Sequence, residues 1–414
     1  MDYRKNKKLI VSIIILAILA IILFLCRETI FSPKNVMQNK LSAAEQMEAQ
    51  ILLKEAITKT FEINSVAETN TQLEFQMQDF QNQFNDAVNA VINLNIVGSG
   101  TELQEFLPNL DYTINLDFQG SVLTEAEDSP AEDLVIQAEL AFRILERILY
   151  GKFKILDLKG KPELEQFIKA MAEIYSDQWY SLSYADLIQF DPSLKESEEQ
   201  HTEVLAEIKK LLTENDVFLV INQEKDQDQT ILTVKLNWEI IFEREFLNEV
   251  LAFILNNLKI FPLDSPQYAN LQNILTDITD EELAQAKLVA TEIEAKIKPI
   301  IQLTINPETK FIEASFVEIV LDLAQLDFSE LELAEQPQDL NGKFNLKIDS
   351  SSQGIEEAVE ILAPAEAIDL NQPEPKIEEQ LRANGLTESE IETLQDLENL
   401  NQLNETMESV TPED

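Results

Sequence analysis

Tyr112-Thr-Ile-Asn-Leu-Asp-Phe-Gln-Gly120 places Tyr112, Ile114, Leu116 and Phe118 at every second position, with Thr113, Asn115, Asp117 and Gln119 between them. Successive side chains of a strand point to opposite faces, so this stretch reads as a strand with one apolar and one polar side. Its upstream neighbours repeat the pattern. Leu73, Phe75 and Met77 alternate with polar residues from Thr71 onward, and Val91 to Val97 alternates up to a turn signal at Gly98-Ser-Gly100. Downstream, an acidic loop from Thr124 to Pro130 separates it from Leu134 to Ile148, which alternates through Val135, Gln137, Glu139 and Ala141. Tyr150 to Leu158 is a further strand, ended by Gly160-Lys-Pro162. Strands of this kind, punctuated by turn residues, predict an antiparallel meander.

Beyond the meander the period changes. Glu163 to Tyr175 carries Leu164, Phe167, Ile168 and Met171 on one helical face. A strand follows at Gln178 to Ser183, then a helix at Ser193 to Leu212 with Val204, Leu205, Ile208, Leu211 and Leu212 inward. Val217 to Ile221 and Gln229 to Asn237 predict a hairpin around Lys225 to Asp228. Glu243 to Leu258 is apolar over most of its surface and predicts a buried helix, and Asp280 to Lys298 predicts another, capped by Asp280. Phe261 to Gln272 reads as a loop. Ile300 to Ile305 and Phe311 to Leu323 flank the turn Asn306-Pro-Glu-Thr309 and form the clearest hairpin. Lys343 to Ile348 is a last strand, and Ala363 to Leu370 an extended closing segment.

Upstream of the sheet, Ser42 predicts the cap of a helix reaching Phe61, with Met47, Ile51, Ile57, Phe61 and the stem of Lys54 as its stripe. A solvated spacer would not need such a stripe, so the helix is expected to pack on the domain. At the N-terminus, Leu9 to Cys26 (LIVSIIILAILAIILFLC) has no charge. At helical rise it spans roughly 27 Å, close to a bilayer's hydrocarbon thickness. Arg4, Lys5, Lys7 and Lys8 precede it. A positive flank stays on the cytoplasmic side, so the bulk of the chain is expected outside the cytoplasm, anchored by a single span. Phe24-Leu25-Cys26-Arg27 offers no small-residue exit for cleavage. Lipid attachment at Cys26 is the competing reading; Leu23 suits it, while Phe24 and Leu25 are bulky.

The organisation expected is therefore a basic flank at 1–8, a transmembrane anchor at 9–26, a connector and helix at 27–70, an antiparallel α+β domain at 71–370, and an acidic, weakly ordered tail at 371–414. The fold class is α+β: a curved antiparallel sheet packed on helices behind an N-terminal transmembrane helix.

Composition narrows the functions. Lys and Arg total 31 against 76 Asp and Glu, a net charge of −45. Such a charge repels phosphate backbones, which argues against nucleic-acid binding. Cys26 is the only cysteine and His201 the only histidine, so internal disulfides, zinc clusters and most nucleophilic triads are not available. His201 lies in the acidic run Glu196 to Glu203 and reads as a solvated helix residue. Asp226 and Asp228 suggest a calcium loop only superficially, because no glycine or terminal glutamate follows at the required spacing. Paired carboxylates such as Glu281 and Glu282 are too common here to nominate a glycosidase site. Asn404-Glu-Thr406 fits a glycosylation acceptor, which a tail of this composition produces by chance. No catalytic residue set, metal site or cofactor is expected. Trp179, Tyr180 and Trp238 are read as strand residues. With Phe218, Phe246 and Val250 they are the candidates to line an apolar cavity between sheet and helices, against the plainer reading of core packing.

Tyr150-Gly-Lys-Phe153 followed by Gln178-Trp-Tyr-Ser-Leu182, and Leu303-Thr-Ile-Asn-Pro-Glu-Thr-Lys310 followed by Ile361-Leu-Ala-Pro364, resemble the LolA/LprG-like envelope proteins. The resemblance implies a half-barrel sheet wrapped on helices and, by analogy with several members, an acyl-chain ligand. An anchored chain cannot diffuse between membranes, so it implies a fixed binder rather than a shuttle. The function expected is a non-catalytic, membrane-anchored extracytoplasmic protein binding a lipid-like ligand. The alternative is a structural or adaptor protein of the envelope, whose acidic tail contacts a basic protein.

Overall fold

The computed structural model describes residues 41–81, 87–123, 132–160, 165, 169, 172, 176–226, 228–257, 278–297, 299–322, 342–354 and 359–370. The expected anchor at 9–26, Cys26, the acidic stretch after Leu123, the segment 258–277 and the tail from 371 lie outside the described residues. Of the helix expected from Glu163, only Glu165, Lys169 and Ala172 are described, all helical.

The chain is α+β, built on one large, curved, open sheet. Six strands run in sequence order: β1 (Ser65–Gln81), β2 (Ala87–Thr101), β3 (Asn109–Leu123), β4 (Glu132–Leu145), β5 (Ile148–Lys159) and β6 (Trp179–Ser183). A second meander comprises β7 (Phe218–Asp226), β8 (Gln229–Leu236), β9 (Ile300–Ile305), β10 (Ile312–Asp322) and β11 (Lys343–Gly354). The two join where β11 lies antiparallel to β1, with Leu73 opposite Ile348. A short β12 (Ala367–Asp369) adds to β6 in parallel, so the edges are β12 and β7.

Six helices are described: α1 (Ala43–Thr60), α2 (Tyr184–Phe190), α3 (Ser193–Glu214), α4 (Trp238–Ile241), α5 (Arg244–Asn257) and α6 (Asp280–Ile297). Ser42 caps α1 with a reciprocal box: its side chain takes the Glu45 N–H, and the Glu45 carboxylate takes the Ser42 N–H at 2.8 Å. This satisfies two donors that a helix start leaves orphaned. The helix packs on the domain through a face that keeps Ile57 and Phe61 of the stripe read in the sequence but not Met47 or Ile51. Ala49, Leu53, Ala56 and Ile57 are buried, whereas Met47 is 68 % and Ile51 51 % exposed. Small alanines let the helix approach the sheet closely, and a count of large apolar residues misses them.

Three further expectations are corrected. Gly98-Ser-Gly100 is not a turn; it continues β2, with Gly98 opposite Tyr112. A Cβ at Gly98 would stand 2.4 Å from the Asp111 carbonyl oxygen and 2.5 Å from the Tyr112 ring, so glycine is what lets this ring lie over the strand. Tyr112 then stacks on Phe142, centroids 5.5 Å apart and 11° from parallel. The cap of α6 is Thr279, whose hydroxyl accepts the Glu282 N–H at 3.2 Å while Glu282 Oε2 accepts the Thr279 N–H at 2.7 Å. Asp280 instead pairs with Arg244 at 2.7 Å. Trp238 begins the short helix α4 rather than standing on a strand.

The hydrophobic core lies between the β7–β11 end of the sheet and the helices. Phe246, Leu247 and Val250 of α5 and Leu211 and Leu212 of α3 join Leu232, Ile301 and Ile348 in one buried cluster. The other end of α3 is tied to the β4–β5 turn, where Glu146 and Arg147 both take positive φ, 50° and 65°. A two-residue turn of this hand matches the twist of the strands it joins. Arg147 pairs with Glu198 of α3, its guanidinium lies 4.4 Å over the Tyr184 ring, and the Tyr184 hydroxyl donates to Glu198 at 2.9 Å. α3 is thus a strut from the first meander to the core of the second.

Candidate functional site

Register alignment turns the alternation of single strands into two continuous faces. Val220, Val234, Ile301, Val317, Ile348, Leu73, Leu94, Leu116, Ala138 and Ile155 are successive register partners from β7 across to β5. All ten are apolar. A second row, Ile319, Leu346, Phe75, Ile92, Phe118, Ile136 and Leu158, runs beside it. From Val220 to Ile348 the first row is at most 6 % exposed, because the helices cover it. Leu73, Leu94, Leu116 and Ile155 are only half-buried, and Leu140, one residue pair along, is exposed. The apolar face therefore continues past the helical layer among the described residues.

The sequence candidates divide across this arrangement. Phe218, Phe246, Val250 and Trp238 come together in the helix-covered cluster. The first three are fully packed there, as core side chains are. Trp238 is partly buried; its indole N–H donates to Glu294 Oε2 at 2.8 Å, and its ring tilts on Phe242 at 5.9 Å. Trp179 and Tyr180 sit at the other end of the sheet on β6, paired with Ala367 and Ile368 of β12. The Arg143 guanidinium lies 5.0 Å over Trp179, and burial pushes the Tyr180 hydroxyl pKa up. The structure thus brings four of the six together and leaves two near the opposite edge. His201 is not solvated as read: it is half-buried, edge-on to Phe106 at 5.6 Å, with Nε2 making no hydrogen bond.

The half-buried apolar stretch of β2 to β5 was not singled out from the sequence. Its signal was present in Ile114, Leu116 and Phe118, but alternation alone does not say which part of a face a helix will cover. Chemically the stretch offers area burial and no reactive group. Each 100 Å² of apolar surface removed from water there is worth about 2.5 kcal/mol. Among the described residues no group of three or more His, Cys, Asp or Glu is placed to hold a metal ion. Nor is any described helix long and apolar enough to cross a membrane.

The class that fold and face define is an open α+β sheet protein with helices on part of one side. No family model matches the chain, and no similar curated protein or solved structure was found.

Proposed function

We propose that this chain is a membrane-anchored, extracytoplasmic, non-catalytic protein that holds an apolar, lipid-like ligand against the apolar face of its sheet, where that face continues past the helix-covered core. The observation that carries this reading is the ten-strand apolar row, buried from Val220 to Ile348 and half-buried at Leu73, Leu94, Leu116 and Ile155. An acyl chain laid along Leu94, Leu116 and Ile155 would extend the packed surface that Ile348 and Val317 begin. The uncharged stretch from Leu9 to Cys26 supplies the anchor, and the resemblance to LolA/LprG-like proteins points to the same ligand class.

Native mass spectrometry of the full chain after mild extraction tests the reading. Lipid-sized adducts are expected, and Leu116→Asn together with Leu94→Asn should lower their occupancy several-fold. Protein that is consistently free of lipid, or adducts indifferent to both substitutions, would refute it. Protease added to sealed cells should remove most of the chain; protection of the bulk would refute the placement.

A further inference from the structure

The opposite face of the same strands has its own chemistry. Glu318, Lys347, Glu74, Asn93, Asp117 and Gln137 are register partners there, and the next row holds Asp349, Gln72, Asn95 and Asn115. These rows, Glu318 excepted, line a cleft of about 440 Å³ whose walls include Gln72, Glu74, Asn95, Asp117, Lys347 and Asp349, with Leu73, Leu94 and Leu116 of the intervening positions also contributing. Asp349 is only 8 % exposed, yet its Oδ1 has no hydrogen-bond partner. Asn95 Oδ1 in the cleft is likewise unpartnered, as are Asn70 Oδ1 and Asn345 Oδ1 on the same face of β1 and β11. Buried polar atoms are normally satisfied, so four orphan acceptors on one face mark a place where something else donates.

The donor's class follows from the walls. The orphan atoms in the cleft, Asp349 Oδ1 and Asn95 Oδ1, are both oxygens, so the ligand must bring N–H or O–H groups. Glu74, Asp117 and Asp349 outnumber Lys347, so positive charge is favoured. No aromatic ring is among the lining residues, which removes the stacking platform that sugars commonly use. Neighbouring strands stand about 4.8 Å apart, so Glu74 on β1 and Asp117 on β3 are separated by roughly 10 Å across Asn93. That separation suits ammonium groups joined by short alkyl links, which can lie on the stems of Gln72 and on Leu156. We propose that this cleft binds a linear polyamine, whose ammonium groups donate to Asp349 and Asn95 and pair with Glu74 and Asp117.

The test is calorimetric titration of the purified full chain with spermidine at physiological ionic strength, with magnesium as comparator. Saturable binding is expected, weakened at least tenfold by Asp349→Asn and by Asp117→Asn. Glu308→Gln, on the exposed β9–β10 turn, should leave it unchanged. Far-ultraviolet circular dichroism confirms that each variant is folded. Equal losses in all three variants, or salt-reversible uptake without saturation, would show diffuse attraction to a chain of net charge −45 and overturn the proposal. Absence of heat with spermidine, or binding of magnesium alone, would overturn it equally.

Discussion

The side-chain amide of Gln50 bonds Phe218 on the outer edge of β7 as a neighbouring strand would. Its Nε2 donates to the Phe218 carbonyl at 2.7 Å, and its Oε1 accepts the Val220 N–H at 3.2 Å. One turn earlier on α1, Gln46 donates to the Val220 carbonyl at 3.2 Å. Free strand edges recruit other strands, and natural sheets cover them. Here two glutamines on one helix do the covering.

Gln50→Met removes both bonds to the edge without shortening the side chain. A loss of about 1–3 kcal/mol is expected, together with concentration-dependent self-association. Urea unfolding and light scattering after gel filtration read the two effects; an unchanged midpoint in a strictly monodisperse sample would count against the edge-cover role.

Two glycines provide a matched comparison. At Gly98 a new methyl meets backbone, the Asp111 oxygen at 2.4 Å, whereas at Gly151 nothing stands within 4 Å. Gly98→Ala should cost about 1–3 kcal/mol through overpacking, and Gly151→Ala should be near neutral. Similar urea midpoints for the two would mean that Tyr112 does not need a bare strand beneath it.

The packed face of α1 can be verified in the same way. Leu53→Ala should cost about 2–5 kcal/mol as a core truncation. Met47→Ala, at an exposed position, should shift stability by less than about 0.5 kcal/mol. Ser42→Ala removes the cap and should cost about 1 kcal/mol. Equal effects at Leu53 and Met47 would restore the stripe read from the sequence.

Burial raises the Asp349 carboxyl above its ordinary 3.8, with the charge of Lys347 opposing. A carboxyl whose folded pKa is raised favours the folded state while protonated. Its contribution is full below 3.8 and is lost as pH rises through the raised value. At neutral pH the ionised Asp349 is therefore a burden on stability. Asp349→Asn should raise the urea midpoint at pH 7, with the advantage shrinking as pH falls toward 4. An advantage that grows on acidification would reverse the sign assigned here. Glu62 has the opposite sign: hydrogen bonds from Lys59 and Lys209 hold its pKa low, so its contribution is present above 4.5 and fades in acid.

Elements with one dominant period were legible. The Asn306-Pro-Glu-Thr309 hairpin, α5 and the strand around Leu116 all stand close to where alternation or helical spacing placed them. What escaped was decided by partners distant in sequence. Gly98 reads as a turn because glycine usually marks one; only the Tyr112 ring above it shows why a strand keeps it. Ala49 and Ala56 do not announce a core face, because tight approach favours small residues. Trp238 could be strand or helix until the β8 register ended at Leu236. The polar cleft was hidden for the same reason. Asp349 and Asn95 are far apart in the chain, and they meet only because β11 returns to lie against β1.

That return sets the order of events in biogenesis. Val66 to Gln78 find their second neighbour only in residues 343–354, so an emerging polypeptide must present an unpaired strand edge until nearly all of it has been delivered. Contacts this remote in sequence close slowly, and a nascent form of this kind is prone to aggregate. Maturation should therefore depend on a holding chaperone, and premature termination before Lys343 should leave material that is degraded rather than a stable half.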